Sequence, residues 1–390
     1  MQKILHTPEG VRDIYSTECE QKLILQEKLH NVIRSFGYHD IETPTFEYFD
    51  VFGRDIGTIP SRELFKFFDR EGETLVLRPD FTPSIARAAA KYFLNEDMAV
   101  RLTYLGNTFI NNSSYQGRLK ETTQIGGELI GDDSADADAE SIALTVQLLL
   151  ASGLKDFQIS IGHVGFFHAL AAEAGLDEGL TAQLQELIAN KNTFGVQKLL
   201  SDKEIPPAQK KAFSSFTGLF GTQEILAKAR ELTENAQALS ALDRLQEIWD
   251  ILCMYGVSKY VSFDLGMLSS YMYYTGITFR GYTFGTGDAV IKGGRYDRLL
   301  HCFGKDAPAV GFVAVVDELL SALSRQKITQ EISCSHCMLL YEKDQLSEAV
   351  TKASSLRSQG IEVELVRITE DRTREKCRNY AKNCTLVVEL

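Results

Sequence analysis

The segment Gln124-Ile-Gly-Gly-Glu128 has the residue types and the spacing of a small-molecule site. If it forms a strand, the two-residue period of a strand places Gln124, Gly126 and Glu128 on one face. Gly126 has no side chain, so it leaves a floor between an amide and a carboxylate. Such a surface suits a small ligand with an ammonium group or a ring N–H. Taken alone, however, the pattern fits a solvated surface strand better.

Two other segments supply further candidates. Asp80 and Thr82 stand where a predicted strand runs into a helix that begins near Pro83. Asp80 alone is explained as a helix-capping carboxylate, because the first backbone N–H groups of a helix have no partner inside it. The pair Tyr273-Tyr274 lies in a stretch of strand composition, whose alternation predicts that the two rings point to opposite faces. One ring would then line a pocket while the other packs in the core.

The elements that must position these residues change in character along the chain. Residues 73–130 alternate short strands with one helix, which indicates antiparallel sheet rather than a regular βαβ repeat. Residues 164–254 are rich in Ala, Leu, Gln and Glu, which predicts a helical insertion. Residues 334–390 alternate strand and helix patterns and predict a small α/β domain of parallel type. The predicted class is α+β, with a first domain over residues 1–325 that contains the insertion.

Composition narrows the class of protein. The chain has 390 residues, of which 44% are hydrophobic and 24% are charged, and its net charge is −12. This acidic balance argues mildly against a broad nucleic-acid interface, since phosphate contacts need clustered Lys and Arg. The amino terminus lacks a secretion signal, and no apolar run approaches the roughly 20 residues that cross a bilayer. A cytoplasmic protein without a membrane partner is therefore expected.

The seven cysteines are scattered along the chain. Cys334-Ser-His-Cys337 has the spacing of half a zinc site or of a redox pair, but no second closely spaced pair follows it. Reduced structural thiols in a reducing compartment are the favoured interpretation. Neither a bound metal nor a cofactor is expected.

Several motifs in the right order resemble the catalytic domain of histidyl-tRNA synthetase, a class II aminoacyl-tRNA synthetase. Tyr38–Pro44 resembles the first class II motif, Tyr104–Glu128 the second, and Ala309–Phe312 the start of the third. The resemblance spans about residues 7–322 outside the insertion. It implies an antiparallel sheet flanked by helices and a homodimer through the first motif. The carboxy-terminal domain resembles a truncated form of that family's anticodon-binding domain.

The same resemblance implies a pocket for L-histidine. The residues that match the family's histidine-binding segments are Asp80, Thr82, Gln124, Glu128, Tyr273 and Tyr274, together with the segment Gly293–Asp297. By this resemblance Glu128 and Gln124 engage the α-amino group or the ring of histidine. Asp80 holds the ammonium group, and a tyrosine closes the imidazole side.

Three positions where that family binds ATP with arginine carry other residues here. They are Ile110, Ser269 and Glu318. ATP is polyanionic, and fixed guanidinium groups neutralise the charge that develops as an adenylate forms. Losing one such donor typically costs on the order of 10²–10³ in rate, and Glu318 adds repulsion. Arg118, Lys120 or Arg280 could compensate, and the sequence leaves this open.

A retained histidine pocket with lost ATP activation resembles the regulatory-subunit family of ATP phosphoribosyltransferase. Phe263-Asp-Leu-Gly266 also looks more like that family than like a working synthetase. The resemblance implies a non-catalytic protein in a hetero-octamer with the short catalytic subunit of histidine biosynthesis. In that complex it makes the catalytic subunit active and responsive to feedback inhibition by L-histidine.

Two alternatives to this function remain at the level of sequence. The first is a divergent histidyl-tRNA synthetase, which needs ATP turnover and a domain that reads tRNA. The truncated carboxy-terminal domain disfavours such reading, so tRNA is not expected as a partner. The second is a histidine-sensing module attached to another system, such as translation control.

Overall fold

The computed structural model describes residues 5–53, 59–94, 98–112, 119–268, 273–330, 336–380 and 386–390. The chain forms two compact units, Met1–Gln330 and Glu331–Leu390. Within the described ranges, every helix is too short or too polar to span a lipid bilayer.

The first unit contains twelve strands and ten α-helices in its described part. The strands are β1 (His39–Asp40), β2 (Phe46–Tyr48), β3 (Lys66–Phe68), β4 (Thr74–Leu77), β5 (Val100–Phe109), β6 (Glu121–Ile130), β7 (Phe157–His163), β8 (Phe220–Gly221), β9 (Val261–Asp264), β10 (Ile277–Thr283), β11 (Ile291–Arg295) and β12 (Ala309–Val315). The helices are α1 (Ser16–Ser35), α2 (Thr82–Tyr92), α3 (Ala135–Ala151), α4 (Val164–Glu173), α5 (Glu178–Ala189), α6 (Thr193–Ser201), α7 (Pro207–Ser215), α8 (Glu224–Arg230), α9 (Ala236–Met254) and α10 (Val316–Arg325).

A nine-stranded sheet in the order β1-β5-β6-β12-β11-β10-β7-β9-β8 forms the centre of this unit. Its pairings are antiparallel except for β1 with β5 and β7 with β9. The remaining strands form a small antiparallel sheet in the order β2-β4-β3. This is the predominantly antiparallel α+β arrangement that the sequence predicts.

The longest pairing in the central sheet is the β5–β6 hairpin, which stays in register from Val100 opposite Ile130 to Phe109 opposite Glu121. Alternation along β6 sends Ile125 and Leu129 into the main core, where they pack with α1 and α3. Gly126 and Glu128 alternate with them along the strand and therefore belong to the opposite face. That face carries the candidate site.

Helix α2 lies on this opposite face of the sheet. Its apolar side packs Phe81 and Ile85 against Leu102 and Tyr104 of β5, and the rings of Phe81 and Tyr104 stack with centroids 4.3 Å apart. A proline in the first turn and three consecutive alanines favour helix here. The packing holds the first turn of α2, including Thr82, above strand β6.

Helices α4 to α9 occupy the chain between β7 and β9, where only β8 is extended. One face of α9 is buried at Leu242, Leu245 and Leu252, and Trp249 is partly buried against Phe263 of β9. This helical block continues the main core of the first unit.

The second unit is a parallel three-stranded sheet with helices on both faces. It contains β13 (His336–Tyr341), α11 (Leu346–Ser358), β14 (Glu362–Arg367), α12 (Arg374–Tyr380) and β15 (Leu386–Glu389), with the sheet order β14-β13-β15. The middle strand is buried on both sides: Cys337 and Leu339 pack with α11, and Met338 and Leu340 pack with Cys377 of α12. Cys334, the other half of the predicted cysteine pair, lies outside the described residues.

Candidate ligand-binding site

A cleft of about 850 Å³ lies over strands β6, β11 and β12 of the central sheet. The sequence-predicted ligand residues all line it: Asp80, Thr82, Gln124, Glu128, Tyr273 and Tyr274. Ile110 and Glu318, two of the three positions predicted to have lost an arginine, line the same cleft. The third, Ser269, lies outside the described residues. Segments that are far apart in the sequence therefore meet in one cavity.

Glu128 is 1% exposed, and both oxygens of its carboxyl group are hydrogen-bonded. The Thr82 hydroxyl donates to Oε1 at 2.9 Å, and the Tyr296 hydroxyl donates to Oε2. Burial raises the pKa of Glu128 to about 8 against the lowering effect of these two hydroxyl groups, and the charge of Asp80 raises it further. A cationic ligand group beside Glu128 would favour its ionised form, because opposite charges stabilise each other.

Two glycines make room for the side chains of the cleft. Gly311 on β12 is opposite Glu128 in the sheet, and a Cβ at position 311 would overlap the Glu128 carboxylate. Gly294 on β11 lies under Tyr274, and a Cβ there would come within 2.7 Å of the tyrosine ring. Glycine is required at both positions because of close approach by a side chain rather than for a turn.

Gln124 lines the cleft and carries a buried polar atom. Its Oε1 accepts no hydrogen bond from any residue in the described part of the chain. A buried acceptor left without a donor costs about 1–3 kcal/mol, so a ligand N–H at this point would be favourable. Asp80 is not the N-cap of α2, a position that Phe81 occupies, but its Oδ1 accepts the backbone N–H of Thr82, the first residue of the helix, at 3.3 Å. Asp80 thus both supports the helix and faces the cleft.

The prediction that Tyr273 and Tyr274 point to opposite faces of a strand is wrong. Strand β10 begins only at Ile277, so the two tyrosines precede it and are free of strand alternation. Both rings line the cleft, with their centroids 4.6 Å apart. The ring of Tyr273 also meets the ring of Tyr296 edge-on at 5.8 Å. These three rings form an aromatic wall of the cleft.

Tyr296 is the site residue that the sequence prediction missed. It is 2% exposed and lines the cleft, and its hydroxyl group holds the Glu128 carboxylate. It stands inside the glycine-rich segment Gly293–Asp297, which the resemblance had marked as a whole without marking this residue. The resemblance of this segment to a histidine-binding segment was the sequence feature that could have identified Tyr296.

Acidic residues outnumber basic residues among the described residues that line the cleft. The acids are Glu63, Asp80, Glu128, Asp288, Asp317 and Glu318, and the basic residues are Arg12, Lys292 and Arg325. Lys120 and Arg280, which the sequence leaves open as substitutes for the arginines that the synthetase resemblance expects, do not line the cleft, and Arg118 lies outside the described residues.

The three basic side chains of the cleft already have partners. Arg12 pairs with Glu18, Lys292 pairs with Asp288 at 2.8 Å, and the Arg325 guanidinium donates to the carbonyl oxygen of Gly285. A polyphosphate would have to displace these contacts and approach several carboxylates. The lining therefore suits a small cationic or N–H-rich ligand better than a nucleotide.

Comparisons with known proteins show the family of the chain. Residues 10–319 match the family model of histidyl-tRNA synthetase. The ATP phosphoribosyltransferase regulatory subunit of Ruminiclostridium cellulolyticum is 39% identical to this chain over 366 residues, which are 94% of this chain and 87% of that protein. The protein of the same name from Acetivibrio thermocellus is 41% identical over 377 residues, 97% of this chain and 90% of that protein.

Solved structures show the same relationship. The crystal structure of an ATP phosphoribosyltransferase regulatory subunit/histidyl-tRNA synthetase from Bacillus halodurans has a TM-score of 0.89 and 32% identity, and the match covers 99% of this chain and 98% of that chain. Histidyl-tRNA synthetase from a Nostoc species has a TM-score of 0.81 at 21% identity, covering 97% of this chain and 89% of that one. The second likeness concerns the fold alone. The predicted class II synthetase fold is confirmed.

Proposed function

We propose, since this chain belongs to the family of ATP phosphoribosyltransferase regulatory subunits with the histidyl-tRNA synthetase fold, that it regulates a catalytic phosphoribosyltransferase by binding L-histidine in the cleft. The observation that carries the ligand assignment is the lining of the cleft. Buried donors and acceptors for a small amino acid lie beside acidic groups that disfavour ATP.

L-Histidine matches the chemistry of this lining. Its ammonium group and its ring N–H need acceptors, which Asp80, Glu128 and Gln124 supply, the Gln124 oxygen having no donor among the described residues. Its flat imidazole suits the aromatic wall of Tyr273, Tyr274 and Tyr296. In the proposed arrangement Glu128 and Gln124 contact the α-amino group or the ring of histidine, and Asp80 binds the ammonium group. Thr82 orients Glu128, and a tyrosine covers the imidazole.

In the proposed function the protein does not activate histidine with ATP. Ile110 and Glu318 line the cleft where the synthetase resemblance expects arginine, and Ser269 takes the third such position. An alkyl group and a carboxylate stabilise no charge on a reacting phosphate, and the carboxylate repels it. The protein is therefore a sensor that has kept the amino-acid half of a synthetase site and has lost the nucleotide half.

Regulation requires that histidine bind one state of the complex more tightly than another. A ligand with equal affinity for two states shifts nothing between them. The proposed partner is the short catalytic phosphoribosyltransferase subunit, in a hetero-octamer, and a shift of this assembly is what would transmit histidine binding to the catalytic site. Binding energy from the buried Glu128 and the aromatic wall is available for that shift.

We also propose a homodimer through the first class II motif, Tyr38–Pro44. The small sheet begins directly after this motif, and one of its faces carries the exposed aromatic rings of Phe46, Tyr48 and Phe67. Exposed aromatic clusters of this kind are typical of protein interfaces. A second copy of the chain on this face would bury them.

The decisive experiment mixes the purified protein with a short catalytic phosphoribosyltransferase and measures its activity with and without histidine. The wild-type protein should raise the activity, and histidine should then inhibit it. Glu128→Ala should abolish inhibition while leaving assembly intact. Glu63→Ala is a matched control, because Glu63 lines the same cleft near Ile110 and should not affect inhibition. Unchanged inhibition in the Glu128 variant would reject the cleft as the sensor.

A second assay separates this function from a divergent synthetase. Histidine-dependent exchange of pyrophosphate into ATP should be absent, whereas histidine should raise the melting temperature of the protein alone. Clear exchange would instead establish amino-acid activation, and the synthetase function would replace the regulatory one.

A further inference from the structure

A buried ionic cluster connects the helical insertion to strand β11, whose last residue, Arg295, precedes Tyr296 of the aromatic wall. Asp138 on α3 is 0% exposed and is contacted by two arginines. Arg295 of β11 donates to its Oδ1 from Nε at 2.8 Å and from a terminal nitrogen at 2.7 Å. Arg244 of α9 donates to its Oδ2 at 2.8 Å. One carboxylate therefore joins a helix of the insertion to the central sheet.

The cluster is electrically balanced and forms a continuous network. Arg295 also donates to Asp297 Oδ1 at 3.2 Å, so two guanidinium groups face two carboxylates. The guanidinium of Arg244 also donates to the backbone oxygen of Asp133, which ties α9 to the segment before α3. Charge-assisted bonds with two-pronged geometry fix the orientation of both partners better than a single bond does.

Arg295 is in turn the anchor of the aromatic wall. Tyr296, the next residue, donates to Glu128. The backbone N–H of Thr275, the residue after Tyr274, donates to the carbonyl oxygen of Arg295 at 2.9 Å. The Thr275 hydroxyl donates to Asp297 at 2.7 Å and accepts the Asp297 backbone N–H at 3.0 Å. Residues 295–297 therefore hold in place both Tyr296 and the segment that contains Tyr273 and Tyr274.

We propose that Arg244 is a positioning residue for the cleft: through Asp138 it fixes Arg295 and with it the tyrosine wall, so that histidine binding and the order of helix α9 are coupled. This inference rests on the proposed function, because it takes histidine as the ligand. It adds a route by which occupancy of the cleft reaches the helical insertion. Coupling between two sites is reciprocal. If histidine binding orders α9, then loosening α9 must lower the affinity for histidine by the same free energy.

The cluster offers a way to separate positioning from mere stability. Asp138 keeps its bonds to Arg295 when Arg244 is replaced, so no wholly unpaired buried charge is left behind. The side chain of Arg244 is 24% exposed, and a shorter polar side chain there can remain hydrated. Arg244→Gln should therefore fold, whereas a change at Asp138 would remove a carboxylate partner from both Arg244 and the buried Arg295.

The experiment compares Arg244→Gln with Arg230→Gln in the full chain. Arg230 is a matched control, because it lies on α8 of the same insertion and pairs with Asp243 of α9 at the surface. Calorimetric titration with L-histidine should show affinity weakened by on the order of tenfold in Arg244→Gln, within the range for residues that touch no ligand. Arg230→Gln should bind like the wild type. Arg244→Lys, which keeps the charge without the two-pronged geometry, should lie between them.

Hydrogen exchange supplies the readout that a purely structural role would not move. Histidine should protect backbone amides of residues 236–254 in the wild type and in Arg230→Gln, but not in Arg244→Gln. Equal affinity and equal protection in all three proteins would overturn the inference while leaving the proposed function standing. No histidine binding to the wild type would overturn both. Should Arg244→Gln fail to fold, Arg244→Lys carries the same comparison.

Discussion

The carboxyl group of Glu128 occupies the space that a side chain at Gly311 would fill. The two residues are direct partners across strands β6 and β12, and a Cβ on residue 311 would overlap Glu128 Oε2. The same oxygen accepts the hydroxyl hydrogen bond of Tyr296. The position of the Glu128 carboxyl group is therefore set by the lack of a side chain at Gly311 and by the hydroxyl groups of Thr82 and Tyr296.

Gly311→Ala should displace Glu128 and abolish histidine binding. Forcing a methyl group into a filled site costs about 1–3 kcal/mol of folding free energy, which urea denaturation would measure. Gly287→Ala is the control, because Gly287 lines the same cleft but has open space where its Cβ would be. If both variants bind histidine with wild-type affinity, the close approach of residues 128 and 311 has no functional role.

The raised pKa of Glu128 should make folding stability depend on pH. The folded-state pKa is about 8, against 4.5 for an ordinary glutamate, so the folded protein holds the proton more tightly than the unfolded chain. The contribution of Glu128 to the free energy of unfolding is therefore fully present below about pH 4.5. It is lost as the pH rises towards 8, by at most about 1.4 kcal/mol per pH unit.

Glu128→Gln should remove that contribution, since an amide cannot ionise. The measurement is the free energy of unfolding of both proteins between pH 4.5 and pH 8, the span between the two pKa values. The difference between wild type and variant should shift steadily in favour of the variant as pH rises. Parallel curves would show that Glu128 titrates normally.

Thr275→Val should weaken histidine binding by loosening the aromatic wall. The change removes a hydroxyl that donates to Asp297 and leaves the Asp297 backbone N–H without its acceptor. Loss of that partner costs about 1–3 kcal/mol, or roughly 5- to 150-fold if it falls on the binding-competent arrangement. Thr283→Val is the matched control, because Thr283 lies at the far end of β10 and its hydroxyl donates to the carbonyl oxygen of Asp156, which does not line the cleft. Equal histidine affinities of Thr275→Val and Thr283→Val would show that the hydrogen bonds of Thr275 do not position the aromatic wall.

Restoring positive charge should restore nucleotide binding. In the double variant Ile110→Arg with Glu318→Arg, ATP should raise the melting temperature, whereas the wild type should show no change. The control pair Phe194→Arg with Glu224→Arg makes the same change in net charge on exposed positions of the insertion. An equal shift in the control would mean that overall charge, rather than the cleft, attracts ATP.

Phe67→Asp should weaken the proposed homodimer. Phe67 contacts Phe46 with ring centroids 5.8 Å apart on the exposed face of the small sheet, and a buried carboxylate in an interface is strongly unfavourable. Sedimentation velocity should show a shift from dimer to monomer. Phe194→Asp introduces the same charge at another exposed aromatic residue, 75% exposed, and should leave the mass unchanged. If the Phe67→Asp variant remains a dimer, the dimer interface lies elsewhere on the protein.

Much of the site could be predicted because local periodicity fixes side-chain direction inside one element. Strand β6 is ten residues long and fully paired, so alternation correctly placed Gln124 and Glu128 on the same side. The same rule failed at Tyr273 and Tyr274, because these residues precede β10 and follow no strand geometry. Periodicity is reliable where a strand exists and misleading where composition only resembles one.

The sequence by itself determined the order of the elements, the predominantly antiparallel class, the helical insertion and the candidate histidine residues. Only the tertiary structure decided that Tyr296 holds Glu128, 168 residues away, and that Asp138 joins Arg295, 157 residues away, to Arg244. The physical reason is that such contacts depend on the register of strands and the packing of helices across the whole sheet. No local pattern of residue types encodes that register, because each partner alone looks like an ordinary polar residue.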